Sequence, residues 1–339
     1  MPAAVRRHWF LLTLVAVLGA GLAWPDAMQP LVRWLPGEVI VAVVTFIMAL
    51  PLETSALWRA ARRPGPAWLA VALNSGLAPP LGWLASRMLP DELAMGVIVA
   101  ATVPCTLATA AVWTRRAGGN DAVAFLVTII TNLTCFLVVP TWLWLLVRPE
   151  AHVAIQQAKI DYRQIVIGLI LIVVLPIIVA QLLRQSPAIG SWAARHKLSL
   201  SLLAQCGVLL IVFGGAVECG LRLTAINGGA LVSASNLVRM VLAVAAVHVA
   251  LLTLGFTLAQ ALKFPRADAI AVAFSGSQKT LMVGAYLASA IGPLAILPMV
   301  AYHATQLVVD TLVADWFVRG TGGPPVQPEQ DELTSEATV

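Results

Sequence analysis

Several stretches of this chain run for 20 residues or more without a charged side chain, among them 67–86, 93–114, 122–147, 164–183 and 198–217. A helix needs about 20 apolar residues to cross the hydrocarbon of a bilayer. Runs of that length, one after another, exclude an ordinary soluble core. Charged residues make up 11% of the chain and hydrophobic ones 60%, whereas a soluble domain carries about 25% charged residues. The runs are also too long and too continuous for an outer-membrane barrel, whose strands alternate over about 10 residues. The chain therefore reads as an all-α membrane protein whose main partner is the lipid bilayer.

Hydropathy and loop punctuation predict ten transmembrane helices, at 8–24, 38–57, 67–88, 92–113, 121–147, 163–183, 198–219, 237–262, 269–288 and 294–318. The first begins with Arg6 and Arg7 and ends among small residues, a pattern shared with cleaved signal peptides. A retained helix keeps five spans in each half. With the N-terminus inside, 13 of the 21 Lys and Arg residues fall at cytoplasmic ends and seven outside, Lys279 being the remaining one. Positive charge collects on the inner side, so both termini are expected in the cytoplasm of a cell inner (plasma) membrane. The net charge of +5 is scattered through short loops; it orients the chain and gives no footprint for nucleic acid. Beyond Arg319 the sequence turns to Gly, Pro and acidic residues, and 320–339 is expected to be a disordered cytoplasmic tail.

The polar residues inside the spans recur at a fixed offset. Asn74 precedes His248 by 174 residues and Pro104 precedes Gly276 by 172; Thr128, Thr131 and Cys135 precede His303, Gln306 and Asp310 by 175 each. Five helices per half is odd, so the second half enters from the opposite side. The expected organisation is a first five-helix repeat over 1–147, an external linker over 148–162 and a second, inverted five-helix repeat over 163–319. Inverted repeats of this kind bind solute near the midplane, between the halves and at discontinuous helices.

Spans four and nine carry the signs of such breaks. Pro104 removes a backbone donor in the middle of span four, and Thr102, Thr106 and Thr109 share a face there at i, i+4 and i+7. Five of the six residues 275–280 are polar: Ser275, Ser277, Gln278, Lys279 and Thr280. At 100° per residue these point all around a helix, so either protein surrounds them or the backbone unwinds, which Gly276 permits. Thr128, Thr131, Asn132 and Cys135 in span five, and His303, Gln306 and Asp310 in span ten, form one-sided stripes suited to lining the crossing.

Lys279 lies about 15 Å from either end of its span, too deep to snorkel. A charge at that depth costs roughly 3 kcal/mol on insertion scales and is expected to face protein or water. It either pairs with Asp310, stands in for a bound cation, holds an anionic solute or carries a coupling proton. Cys105, Cys135, Cys206 and Cys219 have neither disulfide nor metal spacing and read as small buried hydrophobes. Glu53 and Glu218 read as interfacial, and Asn120-Asp121 as a helix cap. No Walker-type Gly-x-x-x-x-Gly-Lys run and no paired nucleophile and base are present, so neither ATP-driven transport nor an enzyme is expected, and no obligate protein partner is evident. A secondary transporter of a small organic solute is the first reading. A non-transporting membrane regulator or receptor on the same fold is the second.

Several of these runs carry a resemblance: Asn74-Ser-Gly-Leu-Ala-Pro-Pro-Leu-Gly-Trp83, Arg116-Ala-Gly-Gly-Asn120-Asp121, Gly276-Ser-Gln-Lys-Thr280, and Tyr302-His303 through Gln306-Leu-Val-Val-Asp310. Over about residues 8 to 318 the chain resembles the bile acid:sodium symporter family (solute carrier family 10), closest to the branch containing vertebrate member seven and its bacterial relatives. The resemblance implies a panel domain of spans 1, 2, 6 and 7, and a core domain of the rest. Helices four and nine would be broken and cross near the midplane, with core moving against panel to give alternating access. It implies symport of an organic, anionic solute, with no cofactor other than a candidate sodium ion. Asn74 stands where sodium-coupled members carry a third-helix glutamine ligand, a fourth-helix serine-asparagine pair becomes Thr109-Ala110, and a fifth-helix serine and threonine become Ala124 and Thr128. The ninth-helix Glu-Val-Gly-Met-Gln-Asn run becomes Phe274-Ser275-Gly276-Ser277-Gln278-Lys279, retaining Gln278 while the acid becomes Phe274 and an amide becomes Lys279. The sodium site so implied is a weak one at Asn74, Thr128 and Gln278. The solute and ion site as a whole is expected at Asn74, Thr106, Thr109, Thr128, Asn132, Ser275, Ser277, Gln278, Lys279, His303, Gln306 and Asp310.

Overall fold

Proline sets the first corner of the chain. In the computed structural model, helix α1 (Ala3–Ala23) gives way at Pro25 to the short α2 (Pro25–Val32), and the two axes differ by 112°. Pro at the first helical position lacks only an N–H that would have no partner anyway, so the chain turns there and starts a new helix. The structure describes residues 3–52, 61–62, 64–107, 109–146, 162–225 and 233–319. The expected linker over 148–162 falls almost wholly outside the described residues; the tail over 320–339, Glu53 and the last residues of the second span fall outside them entirely.

The remaining helices follow in order. Helix α3 is Gly37–Ala49. Helix α4 joins Gly65–Val71 to Ala78–Ser86 through a π-helical turn at Ala72–Leu77. Then come α5 (Asp91–Thr102), α6 (Thr109–Arg116) and α7 (Asp121–Leu146). Helix α8 joins Tyr162–Leu169 to Leu175–Arg184 through a second π turn at Ile170–Val174. Last are α9 (Pro187–Arg195), α10 (Lys197–Ala225), α11 (Ala234–Ala261), α12 (Arg266–Ser277), α13 (Leu281–Ile291) and α14 (Ile296–Arg319). No strand occurs among the described residues. Five helical stretches are long and apolar enough to cross a bilayer: Asp121–Leu146, Arg163–Arg184, Lys197–Leu221, Ala234–Ala261 and Ile296–Val318; the bent α1–α2 pair makes six.

Packing sorts the helices into two groups. In one, α1, α2 and α3 lie against α10, and α8 lies against α3. In the other, α4, α5, α6, α7, α11, α12, α13 and α14 pack on one another. Small residues let backbones approach where there is no hydrophobic drive to press helices together. At the α1–α10 contact a Cβ on Gly220 would fall 2.6 Å from the carbonyl oxygen of Gly21. The turn between α6 and α7 uses Gly118 at φ +75, a region that favours glycine. Asn120 then caps α7, its Oδ1 accepting from the Ala122 N–H at 3.2 Å, as the sequence predicts, and its Nδ2 donates to Asp268 on α12 at 2.8 Å. The two groups meet where α10 and α3 touch α13, where α10 touches α14 and where α8 lies against α7.

Cys105, Cys135 and Cys219 are buried free thiols, as expected, but Cys206 is exposed. It lies on the outer face of α10, where an apolar thiol needs no protein cover if lipid surrounds it.

Candidate functional site

Two helix breaks face each other. The first separates α5 from α6. Val103 precedes Pro104, and the proline ring forces the residue before it out of the α region; Val103 sits at φ −65, ψ 155. The second separates α12 from α13 at Gln278–Thr280, where Gln278 is extended at φ −72, ψ 143. Gly276 is still helical, so the unwinding starts two residues later than the glycine indicates. A Cβ on Gly276 would stand 3.4 Å from Leu73 and 3.7 Å from Ala70, ordinary contact distances, so α12 packs against α4 there with room for a methyl group.

Buried backbone groups must find partners, and here side chains supply them. At the second break the Lys279 N–H donates to Gln306 Oε1 at 3.0 Å, while Gln306 Nε2 donates back to the Lys279 carbonyl at 3.2 Å. The amide of Gln306 thus replaces a missing turn of helix. The Thr280 N–H donates to the Pro104 carbonyl at 2.9 Å, tying one break to the other. At the first break the Cys105 N–H donates to Thr131 Oγ1 at 3.3 Å, Asn132 Nδ2 donates to the Cys105 carbonyl at 2.9 Å, and Thr128 Oγ1 donates to the Thr106 carbonyl at 3.0 Å. So α7 satisfies the first break with its stripe and α14 satisfies the second with its own. Cys135 takes no part in this.

Gln278 joins the breaks through its side chain. Its Oε1 accepts from Thr106 Oγ1 at 2.8 Å and Thr109 Oγ1 at 3.0 Å, and its Nε2 donates to Asp310 Oδ2 at 2.6 Å. Thr102 does not share this face: with the helix broken at 103 its hydroxyl bonds back to the Val99 carbonyl at 2.9 Å. The other Asp310 oxygen lies 3.0 Å from His248 Nε2, and His248 Nδ1 lies 3.3 Å from the Ser277 carbonyl, so both ring nitrogens face oxygens. Tyr302, quoted in the resemblance but absent from the expected site, donates its hydroxyl to the same carbonyl at 2.9 Å. Ser275 and Ser277 enter the site through their carbonyls; their hydroxyls bond back to Ala271 and Ala273 at 2.6 and 2.8 Å, the habit of serine inside a helix. His303 is buried beside Gln306, whose Nε2 lies 2.9 Å from its Nδ1.

Lys279 is fully buried and does not pair with Asp310. Its ammonium donates to the Asn74 carbonyl at 2.6 Å, the Val103 carbonyl at 3.0 Å and Asn74 Oδ1 at 3.3 Å. Asp310 is taken by His248 and Gln278, so the lysine turns to backbone oxygens instead. Asn74 Nδ2 meanwhile donates to the carbonyls of Ser275 and Gln278 at 3.2 and 2.9 Å. Of the three residues in the implied sodium site, Asn74 Oδ1 therefore faces an ammonium, Gln278 Oε1 two hydroxyls, and Thr128 Oγ1 a carbonyl. Phe274, standing where the acidic ligand is carried, packs against Phe317. Among the described residues no group of three or more His, Cys, Asp or Glu is placed to hold a metal ion. Asn132 Oδ1 is buried and accepts no hydrogen bond.

A cavity of about 340 Å³ opens at the junction of the two helix groups. Gln29, Arg33, Val41, Glu218, Ala285 and Tyr286 are among its lining residues. The Tyr286 hydroxyl on α13 lies 3.5 Å from Glu38 Oε1 on α3, across the junction. Sequence reading missed this cavity, taking Arg33 as an orienting charge and Glu218 as interfacial; no spacing rule brings α2, α10 and α13 together.

The family model of the SBF-like CPA transporter family matches residues 8–319. Uncharacterized protein PA2026 of Pseudomonas aeruginosa is 29% identical over 260 residues, covering 74% of this chain and 71% of that protein. Sodium/bile acid cotransporter 7 of Rattus norvegicus is 21% identical over 337 residues, covering 93% of this chain and 94% of that protein. Sodium/bile acid cotransporter 7-A of Xenopus laevis is 22% identical over 328 residues, covering 91% of each.

Proposed function

The chain belongs to the SBF-like CPA transporter family, and from that membership we propose that it moves an organic anion across a cell inner membrane by alternating access, as a secondary active transporter. It is a multi-pass membrane protein and a transporter, not an enzyme. The proposed architecture is ten crossings in two inverted five-helix repeats. Helices α5–α6 and α12–α13 act as the interrupted fourth and ninth spans, meeting near the midplane. The observation that carries the reading is the meeting of two helix breaks whose backbone groups are satisfied by side chains of α7 and α14 and by each other. Discontinuous helices joined at membrane depth are how secondary transporters build a site for a solute or ion.

In this reading the group containing α1, α2, α3, α8 and α10 is the panel and the other group is the core. The junction cavity, lined by both Arg33 and Glu218, is the solute's way in. The names of the rat and frog relatives, sodium/bile acid cotransporters, support the same solute class and a sodium-linked cycle in those proteins. Rocking of core against panel separates Tyr286 from Glu38 and opens the junction to the other side.

The test is uptake of radiolabelled taurocholate and of smaller carboxylates into proteoliposomes, with sodium and proton gradients imposed separately. Accumulation above protein-free liposomes under at least one gradient is expected. No accumulation of any probe under either gradient sinks the transporter reading for these solutes and favours the regulator or receptor.

A further inference from the structure

We propose that the Lys279 ammonium is a built-in cation: it fills, from within the chain, an oxygen cage that would otherwise take a small monovalent cation. The cage is made by prolines. In α4 the Ala78 N–H, which an α-helix would give to Asn74, goes to the Leu73 carbonyl through the π turn. The next residue is Pro79, without an N–H. The Asn74 carbonyl is thus left without a ladder partner by sequence. The neighbouring Ser75 carbonyl meets Pro79 and Pro80 in the same way, and it is rescued by Trp142 Nε1 at 2.7 Å. In α5, Pro104 pushes Val103 into an extended conformation and turns its carbonyl out of the helix.

These two carbonyls and Asn74 Oδ1 converge on one point, and the ammonium sits there at 2.6, 3.0 and 3.3 Å. A lysine ammonium has three donors and no acceptor, so the cage uses all of them and leaves none for a solute. Every acceptor is an uncharged oxygen, the donor set that suits a hard cation. With Asp310 engaged by His248 and Gln278, the positive charge of Lys279 is held by carbonyl dipoles alone. It ties α4, α5 and the α12–α13 break together at the point where the proposed carrier would place its coupling ion. This rests on the transporter reading for its consequence only: the cycle needs no external cation in this cage.

The test reads cation binding and leaves transport aside. Purified Lys279→Ala and Lys279→Asn proteins in detergent, each first shown to be monodisperse, are melted in ammonium, sodium or choline chloride at matched ionic strength, beside wild type. Choline is too large for the cage. The expected result is a lower Tm for the variants in choline, a saturable rise in ammonium or sodium for at least one variant, and a smaller or absent rise for wild type. Variants that respond to no small cation beyond the choline control, or no more than wild type does, overturn the proposal. Lys279→Asn returns an oxygen to the cage and keeps the test open if Lys279→Ala is not monodisperse; failure of both to fold counts against a replaceable cation. None of these outcomes depends on whether taurocholate is carried.

Discussion

Removing the Asn74 side chain should loosen the junction of the two breaks by a calculable amount. Asn74→Ala deletes two neutral bonds to the carbonyls of Ser275 and Gln278 and one bond from the Lys279 ammonium. Interhelical hydrogen bonds in membrane proteins contribute about 0.6–1.7 kcal/mol each, so the neutral pair amounts to about 1–3 kcal/mol. A bond to a charged group contributes about 1.5–3 kcal/mol; the low end applies, because Lys279 keeps the carbonyls of Asn74 and Val103. The sum is about 3–5 kcal/mol of unfolding free energy. The assay is equilibrium unfolding by SDS titration in mixed micelles. Thr102→Ala is the control, since its hydroxyl bonds only within its own helix and its loss should cost about 1 kcal/mol, mostly one buried methyl group. Equal destabilisation by the two substitutions would refute the claim that side chains of this network hold the broken helices together.

Four other outcomes are expected. Asp310→Asn removes the charge shared by His248 and Gln278 and should lower uptake at least about tenfold, equivalent to about 1.4 kcal/mol of barrier. Asp315→Asn, which breaks a half-exposed pair with Arg116, should leave uptake near wild type, as such pairs contribute about 1 kcal/mol or less. Gly220→Leu places atoms where a Cβ alone would stand 2.6 Å from the Gly21 carbonyl and 2.9 Å from Pro25; overpacking costs about 1–3 kcal/mol, so its Tm should fall, while Gly19→Leu, with open space around it, should melt near wild type. Epitope tags at the two termini should both resist protease added outside intact cells and both be cleaved in inside-out vesicles; opposite behaviour of the two tags would refute an even number of crossings.

Much of this arrangement was legible in the sequence, for stated reasons. Long uncharged runs fix helices because lipid offers no partner to an unpaired backbone group. Pro104 and the polar run at 275–280 located the breaks, and the stripes at 128–132 and 303–310 located the helices that satisfy them. What stayed hidden depends on three-dimensional pairing. The Asn74 to Trp83 run was read as a resemblance, yet its two prolines strip carbonyls of their donors, and the rule that proline lacks an N–H holds enough to see that. Which groups would answer those carbonyls was not readable, because they come from residues 205 and 67 positions further along. For the same reason Lys279 looked like a partner for Asp310. The serine hydroxyls at 275 and 277 looked like ligands, but helical backbone three and four residues back was nearer. The junction cavity gathers residues from four helices and leaves no periodic trace.

The central claim, that the joined breaks form the site of a carrier, is tested most directly by counterflow. Proteoliposomes loaded with unlabelled taurocholate are diluted into a trace of the labelled compound, without any ion gradient. The account predicts a transient overshoot of label inside for wild type. It predicts none for Gln278→Ala, which cuts the side-chain link from Thr106 and Thr109 to Asp310 while the protein remains folded. No overshoot with wild type, or an equal overshoot with the variant, would contradict it.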